Sequence, residues 1–336
     1  MMSKGLCLSL IMTFGVIPLV SASEKTEGFL NRSEVRQYIH ELSDEHGLNV
    51  HTVSGLFANT SSQQSVLDKI SSPAERTLTW REYRPIFITQ ERINAGLEFF
   101  DAHKPLLLQA QTRFGVPAEV ITAIIGVETF YGRITGSYNV LEALATLAFD
   151  YPPRSSFFSS ELSEFIVLGS KEGWDMRNIK GSYAGAMGFP QFISSSYRAY
   201  AIDFDNDGKR DLFNSTADII GSVANYLARH GWVADAPIAE RWQADAASSD
   251  AARSLVSDSL KPAVNADALR VLGFDSNLLD VGTQSDEPLS VMLLNGSQGE
   301  ELWIGYRNFY AITRYNHSRL YAMAVFQLAD AIRTAS

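Results

Sequence analysis

The sequence predicts a mostly α protein carrying a small β-containing insertion, and three observations predict it. Apolar residues recur at helical spacing in stretch after stretch from Asn31 to His230, and again toward the C-terminus. Between Ala234 and about Trp303 that texture gives way to short β-like runs, such as residues 289–294, separated by turn signals including Asn295 and Gly296. Hydrophobic content of 46% and charged content of 20% over 336 residues suit an ordinary globular chain of about two domains.

Residues 1–22 read as a secretory signal. Lys4 is the charged start, 6–20 the apolar run, and Val20, Ser21 and Ala22 precede a cut near Ala22. The run falls short of the ~20 residues a membrane span needs, which disfavours an uncleaved anchor. The single cysteine, Cys7, lies inside the run, so the cleaved chain would hold neither disulfide nor thiol. A net charge of −10 without a basic run argues against a nucleic-acid partner.

A first helix starts behind Asn31, Arg32, Ser33 and Glu34, with Val35, Tyr38, Ile39 and Leu42 as its apolar face. It runs to about Glu45 and closes at Gly47. Shorter helical segments at 50–57 and 62–70 make 23–80 a helical N-terminal region. Residues 80–87, WREYRPIF, look like a bridging segment, and 91–115 resume as a helix. Further helices are expected at 118–131, at 140–151 before Pro152 and Pro153, and at 160–170, 192–202 and 217–230. The division this suggests is a core over 81–233, a small β-containing domain over 234–304 and a closing segment over 305–336. That last segment is aromatic at first and helical after Tyr315.

The stretch 118–131 carries the sharpest chemical signal. Val120, Ile121, Ile124, Ile125, Val127 and Tyr131 share one broad helical face, and Glu128 projects from within it. Glu119, Thr122 and Thr129 fall on the opposite side, where a solvated helix keeps its polar groups. A carboxyl on an apolar stripe loses hydration, which favours its neutral form and suits it to general acid work. The bland alternative is a partly buried Glu paired with an Arg or capping another helix.

Asp203, Asp205 and Asp207 at alternate positions, with Gly208 at the sixth, match the start of an EF-hand loop. Asn214 stands at the twelfth position in place of a bidentate Glu, which leaves Asp218 to close the site. A solvated acidic turn is the alternative. The six histidines show no spacing that puts two on one helix face as zinc ligands. GSYAGAMG at 181–188 lacks the Lys-Ser/Thr ending of a phosphate loop. Its small residues either let a backbone approach a large ligand or pack tightly against a helix. Trp303, Tyr306, Phe309, Tyr310, Tyr315 and Tyr321 gather near the C-terminus as core or as a sugar platform.

Together IIGVETFYGR (124–133), LATLAFDYPPR (144–154), GSYAGAMGFPQF (181–192), DFDNDGKRD (203–211), SVANYL (222–227) and YNHSRLYAMAV (315–325) resemble the B-type lytic murein transglycosylases. The resemblance spans nearly the whole chain after the signal. It implies a lysozyme-like α core, a helical N-terminal region and a small β domain. It also implies cleavage of peptidoglycan between N-acetylmuramic acid and N-acetylglucosamine, with a 1,6-anhydro end. Glu128 matches the family's single catalytic acid. Tyr83, Arg154, Ser182, Met187, Gln191, Phe192, Tyr226, Tyr315, Asn316 and Tyr321 match its substrate cleft. Asp203, Asp205, Asp207, the Lys209 carbonyl and Asp218 match a structural Ca²⁺ (or Na⁺) loop, and no cofactor is implied for catalysis. Two positions depart from the pattern. Pro153 stands where many members carry a second Arg, and Asp205 where some have a neutral ligand. Without a lipidation cysteine the chain looks like a soluble periplasmic form. The implied partner is the glycan strand, with unnamed cell-wall synthesis or division proteins as further candidates, and a monomer is expected.

Two rivals stand beside this reading. A lysozyme-type hydrolase would need a second carboxylate near Glu128, for which Glu142, Asp150, Glu161 and Glu164 are close along the chain. A non-catalytic glycan-binding module would use the aromatics alone and have no use for a poorly solvated acid.

Overall fold

The computed structural model describes residues 28–71, 78–243, 246–274, 276–279 and 287–336, so the expected signal over 1–22 lies outside them. Helix α1 (Ser33–His46) buries Val35, Ile39 and Leu42 and stops at Gly47. Helix α2 (Val50–Leu56) starts on Asn49, whose side chain accepts the Thr52 N–H, and α3 (Gln64–Ser71) buries Val66. Arg32 ties this region to the core through Asp150 at 2.8 Å. Residues 80–87, expected to bridge, form helix α4 (Trp80–Phe87). Its reciprocal Thr79/Glu82 capping box satisfies first-turn donors that an irregular segment would leave to water.

Helix α5 (Gln90–Phe114) kinks at His103, two residues before Pro105, which lacks the N–H an unbroken helix requires. Helix α6 (Ala118–Thr129) follows, and all its residues but Glu119 and Glu128 are buried. Thr122 and Thr129 are therefore not on a solvated side. Thr122 donates back to the Ala118 carbonyl at 2.8 Å, and Thr129 donates to the Phe189 carbonyl at 3.1 Å.

The helix also ends before Tyr131. Phe130 and Tyr131 take left-handed φ values of 51° and 58°. What holds this turn is the Tyr131 ring, which packs where Gly96 and Gly126 leave no side chain. A Cβ on either would lie 2.4 or 2.5 Å from Tyr131. The Tyr131 hydroxyl donates to the Arg92 carbonyl at 3.1 Å.

Strand β1 (Tyr138–Asn139) leads into α7 (Val140–Asp150), which packs against α8 (Ser155–Glu172). Strand β2 (Lys180–Gly181) pairs antiparallel with β1. Then come α9 (Ser194–Tyr200) and α10 (Thr216–Arg229). Strand β3 (Ala239–Arg241) opens a second, smaller apolar cluster, to which Trp242, Leu269, Phe274, Val291 and Ile304 belong. Helices α11 (Ala246–Arg253) and α12 (Ala266–Val271) precede β4 (Ser290–Gly296) and β5 (Gly299–Gly305). The sheet is antiparallel in the order β3-β5-β4. Asn295 and Gly296 thus belong to the strand, and the turn lies at Ser297 and Gln298. Gly296 is explained by close approach, since a Cβ there would meet the Glu301 carboxylate at 2.1 Å.

Helicity resumes before Tyr315, in α13 (Arg307–Tyr315). The chain turns extended at Asn316 and restarts as α14 (Arg319–Ala335), capped by Ser318. Helices α5, α10 and α14 all pack on α6, which is why it is enclosed on every side. No helix among the described residues is long and apolar enough to cross a membrane.

The Tyr131 slot makes a prediction. In an open helix, Gly126→Ala would gain about 1 kcal/mol of helix propensity. Here the methyl group meets the ring, and overpacking costs ~1–3 kcal/mol. Denaturant unfolding should therefore show Gly126→Ala less stable than the parent. A variant of equal or greater stability would show that the ring is not confined.

Candidate active site

Glu128 is the last residue but one of α6, half-buried at the end of a helix that is otherwise enclosed. Its Oε1 accepts the Tyr321 hydroxyl at 2.5 Å. Tyr321 is 2% exposed and sits in the first turn of α14, where its N–H is bound by the Ser318 hydroxyl. The Tyr315 ring stacks on it at 6.3 Å and 12°, and Tyr226 and Phe192 continue the wall, at 4.6 Å from Tyr315 and 5.5 Å from Tyr226. Burial first, and the Glu128 charge after it, push the Tyr315 and Tyr321 phenols well above their ordinary range. Tyr321 therefore stays a donor to the carboxylate at neutral pH.

The small-residue loop is held open against this wall. Ser182 Oγ accepts the N–H groups of Ala184 and Ala186, and Met187 and Phe192 exchange backbone hydrogen bonds. Gln191, at a left-handed φ of 51°, donates to the carbonyls of Thr135 and Gly188. Tyr315 donates to the Pro190 carbonyl at 2.7 Å. The result is a cleft of about 830 Å³ whose walls include Arg154, Gln191, Phe192, Tyr226, Tyr315 and Asn316. Met187, within the loop, is fully buried. Tyr83 is 2% exposed, packs on Phe87 at 5.0 Å, and acts electrostatically on Tyr321. Arg314, His317, Tyr200 and Phe157 also line the cleft, and the sequence did not single them out for this role. Arg314 and His317 flank Tyr315 and Asn316 in the chain, which was the available signal.

Three of the four nearby acids have other partners. Asp150 pairs with Arg32, Glu164 with Arg198 at 2.6 Å, and Glu161 accepts the Ser195 N–H and hydroxyl. Glu142 stands in the first turn of α7.

In the acidic loop, carboxylate oxygens of Asp203, Asp205 and Asp218 lie within 4.8 Å of one another. Asp218 is wholly buried and accepts the N–H groups of Phe204 and Asp211 at 2.7 and 2.8 Å. Burial pushes its pKa up, the two backbone bonds oppose this, and the charges of Asp205 and Asp203 add to the rise. Three converging carboxylates, one of them buried, are costly by themselves and match the all-oxygen set a hard divalent cation takes. Asp207 is not among the three; its carboxylate accepts the Lys209 N–H at 2.8 Å.

With this geometry in hand, the chain compares closely with known proteins. The family model of the transglycosylase SLT domain matches residues 31–330. The membrane-bound lytic murein transglycosylase B of Escherichia coli K12 is 37% identical over 322 residues, covering 91% of this chain and 84% of that protein. The crystal structure of soluble lytic transglycosylase SltB1 from Pseudomonas aeruginosa superposes with a TM-score of 0.83 at 45% identity, over 90% of this chain and 99% of that one. The E. coli lytic transglycosylase Slt35 in complex with bulgecin A gives a TM-score of 0.82 at 35% identity, over 96% and 99%. Its complex with calcium gives 0.81 at the same identity and coverage.

Proposed function

The chain belongs to the transglycosylase SLT domain family, the lytic murein transglycosylases that act on peptidoglycan, and from that premise we propose that Glu128 is its single acid and base. The observation that carries the reading is the Glu128 carboxyl, held by the buried Tyr321 hydroxyl at the end of an otherwise enclosed helix. In the first step Glu128 protonates the bridging oxygen as the bond from muramic C1 breaks, while the 2-acetamido oxygen supports C1. The Tyr321 hydroxyl stabilises the carboxylate left behind. In the second, Glu128 takes the proton from the C6 hydroxyl, whose oxygen closes on C1. The enzyme is restored, and the strand ends in 1,6-anhydro-N-acetylmuramic acid without consuming water. The engagement of Asp150, Glu161 and Glu164 with other partners supports a one-carboxylate scheme over the paired acids of ordinary glycosidases. Tyr83, Arg154, Ser182, Met187, Gln191, Phe192, Tyr226, Tyr315 and Asn316 are assigned to forming the glycan cleft.

The same reading places a structural Ca²⁺ on Asp203, Asp205 and Asp218, with Asp207 and the Lys209 carbonyl as the remaining expected ligands. When bound, the ion would offset the mutual repulsion of the carboxylates and take no part in the chemistry. The protein is assigned to the periplasm after cleavage near Ala22.

Glu128→Gln keeps the shape of the side chain but cannot move a proton. Release of fragments from purified sacculi should fall by ~10²–10⁴ or more, since one group serves both steps. Folding and glycan binding should persist, and a wild-type rate would show the acid wrongly assigned. For the acidic loop, a hundredfold excess of Ca²⁺ over its dissociation constant should add ~2.7 kcal/mol of stability. A melting temperature indifferent to both Ca²⁺ and a chelator would leave only an acidic turn.

A further inference from the structure

A second groove lies apart from the cleft and takes no part in the chemistry above. It holds about 770 Å³ between helices α4 and α14 on one side and strand β3, strand β5 and the turn at Ser297 and Gln298 on the other. It shares no lining residue with the cleft. Phe326, Gln327, Asp330 and Ala331 line it from α14, on the side of that helix turned away from Tyr321.

The walls combine two kinds of surface. Pro85, Ile88, Trp303 and Phe326 supply apolar area, with Trp303 and Phe326 meeting edge to face at 6.2 Å. Beside them stand donors and acceptors. Arg84 Nε donates to Gln327 Oε1 at 2.6 Å, which orients both side chains and leaves their other N–H groups to a ligand. Trp303 Nε1 donates to one oxygen of Glu301 at 3.1 Å, and Asp330 holds Arg333 through one oxygen at 2.5 Å, so each carboxylate keeps a second oxygen as acceptor. Trp80, also in the wall, is 1% exposed, and its indole N–H has no hydrogen-bond partner among the described residues. A buried donor without a partner is costly, and a bound acceptor would relieve it. Arg81, Arg84 and Arg241 are matched in number by Glu240, Glu301 and Asp330, so the lining carries no net formal charge.

Apolar surface beside mixed donors and acceptors, without net charge, suits a neutral saccharide: C–H faces meet the apolar side chains, and hydroxyl and acetamido groups meet the polar ones. We propose that this groove is a second saccharide site, taking N-acetylhexosamine units of a glycan strand, with the Trp80 N–H donating to an acetamido carbonyl. This rests on the cell-wall reading above and adds to it a hold on the polymer outside the catalytic cleft. On a polymeric substrate the second contact becomes intramolecular, so the protein stays on the murein between cuts.

The test uses Glu128→Gln protein, so that ligands survive, and titrates it with an N-acetylglucosamine tetramer by calorimetry and by tryptophan fluorescence. The groove contains Trp80 and Trp303 while the described lining of the cleft contains no Trp, so the fluorescence tells the two sites apart. The parent should bind two tetramers per chain, one of them shifting the fluorescence. Adding Ala331→Tyr, which fills the groove, should abolish the shift and leave one site. Adding Trp80→Phe should weaken the groove site by roughly five- to tenfold in calorimetry, the scale of one hydrogen bond. If Ala331→Tyr fails to fold, Gln327→Ala tests the same wall and should weaken the same site. A parent with one site and no fluorescence shift, or two sites that both survive these changes at full affinity, would overturn the proposal and leave the cell-wall reading standing. A shift given by a free stem peptide and not by the tetramer would make the groove a peptide site and overturn it too. A parent that binds no tetramer at all would overturn the cell-wall reading as well.

Discussion

A carboxyl group at the end of a helix buried on all sides must find hydrogen-bond partners inside the protein, because an unpaired buried charge costs several kcal/mol. In this structure the Tyr321 hydroxyl meets that requirement at 2.5 Å. The contact joins residues almost two hundred positions apart, so it depends on α14 lying against α6. It also fixes much around it. Asn316 must break the helix and Ser318 must restart it for Tyr321 to arrive in the first turn. Tyr315, displaced to the other side of that break, stacks on Tyr321 and reaches the Pro190 carbonyl, which sets the height of the 181–192 loop. The interaction that holds this half-buried acid therefore also anchors the aromatic wall that runs from Tyr321 through Tyr315 to the cleft.

The cleft loop is braced from behind at Phe189. Thr129, next to Glu128, bonds to the Phe189 carbonyl, and the Phe189 N–H donates to the Leu212 carbonyl at 3.0 Å. Leu212 follows directly on the acidic loop. The converging carboxylates of Asp203, Asp205 and Asp218 thus lie one hydrogen-bonded step from the loop that faces the substrate cleft. An ion there would stiffen the cleft without touching the reacting atoms.

Much of this was legible in the residues. Glu128 stood out because its position within an apolar stripe follows from periodicity alone, and the acidic loop because its spacing is local. Other features depend on partners far along the chain. Thr122 and Thr129 read as solvated because nothing nearby announces that α5, α10 and α14 enclose the helix. Tyr131 continues the apolar period of α6, yet its ring fits better over Gly96 and Gly126 than along the helix, and the backbone goes left-handed to place it there. The expected bridge over 80–87 is instead a helix, because the Thr79/Glu82 capping box closes its first turn locally. Arg314 lay one position from Tyr315, and only the folded cleft shows that it faces the same space.

The central claim is that one carboxyl does two proton transfers and no water enters. The most direct measurement is the mass of the fragments that the unaltered protein releases from purified sacculi. The account predicts anhydro-ended muropeptides, one water lighter than their hydrolysed counterparts. Fragments carrying free reducing ends would contradict it.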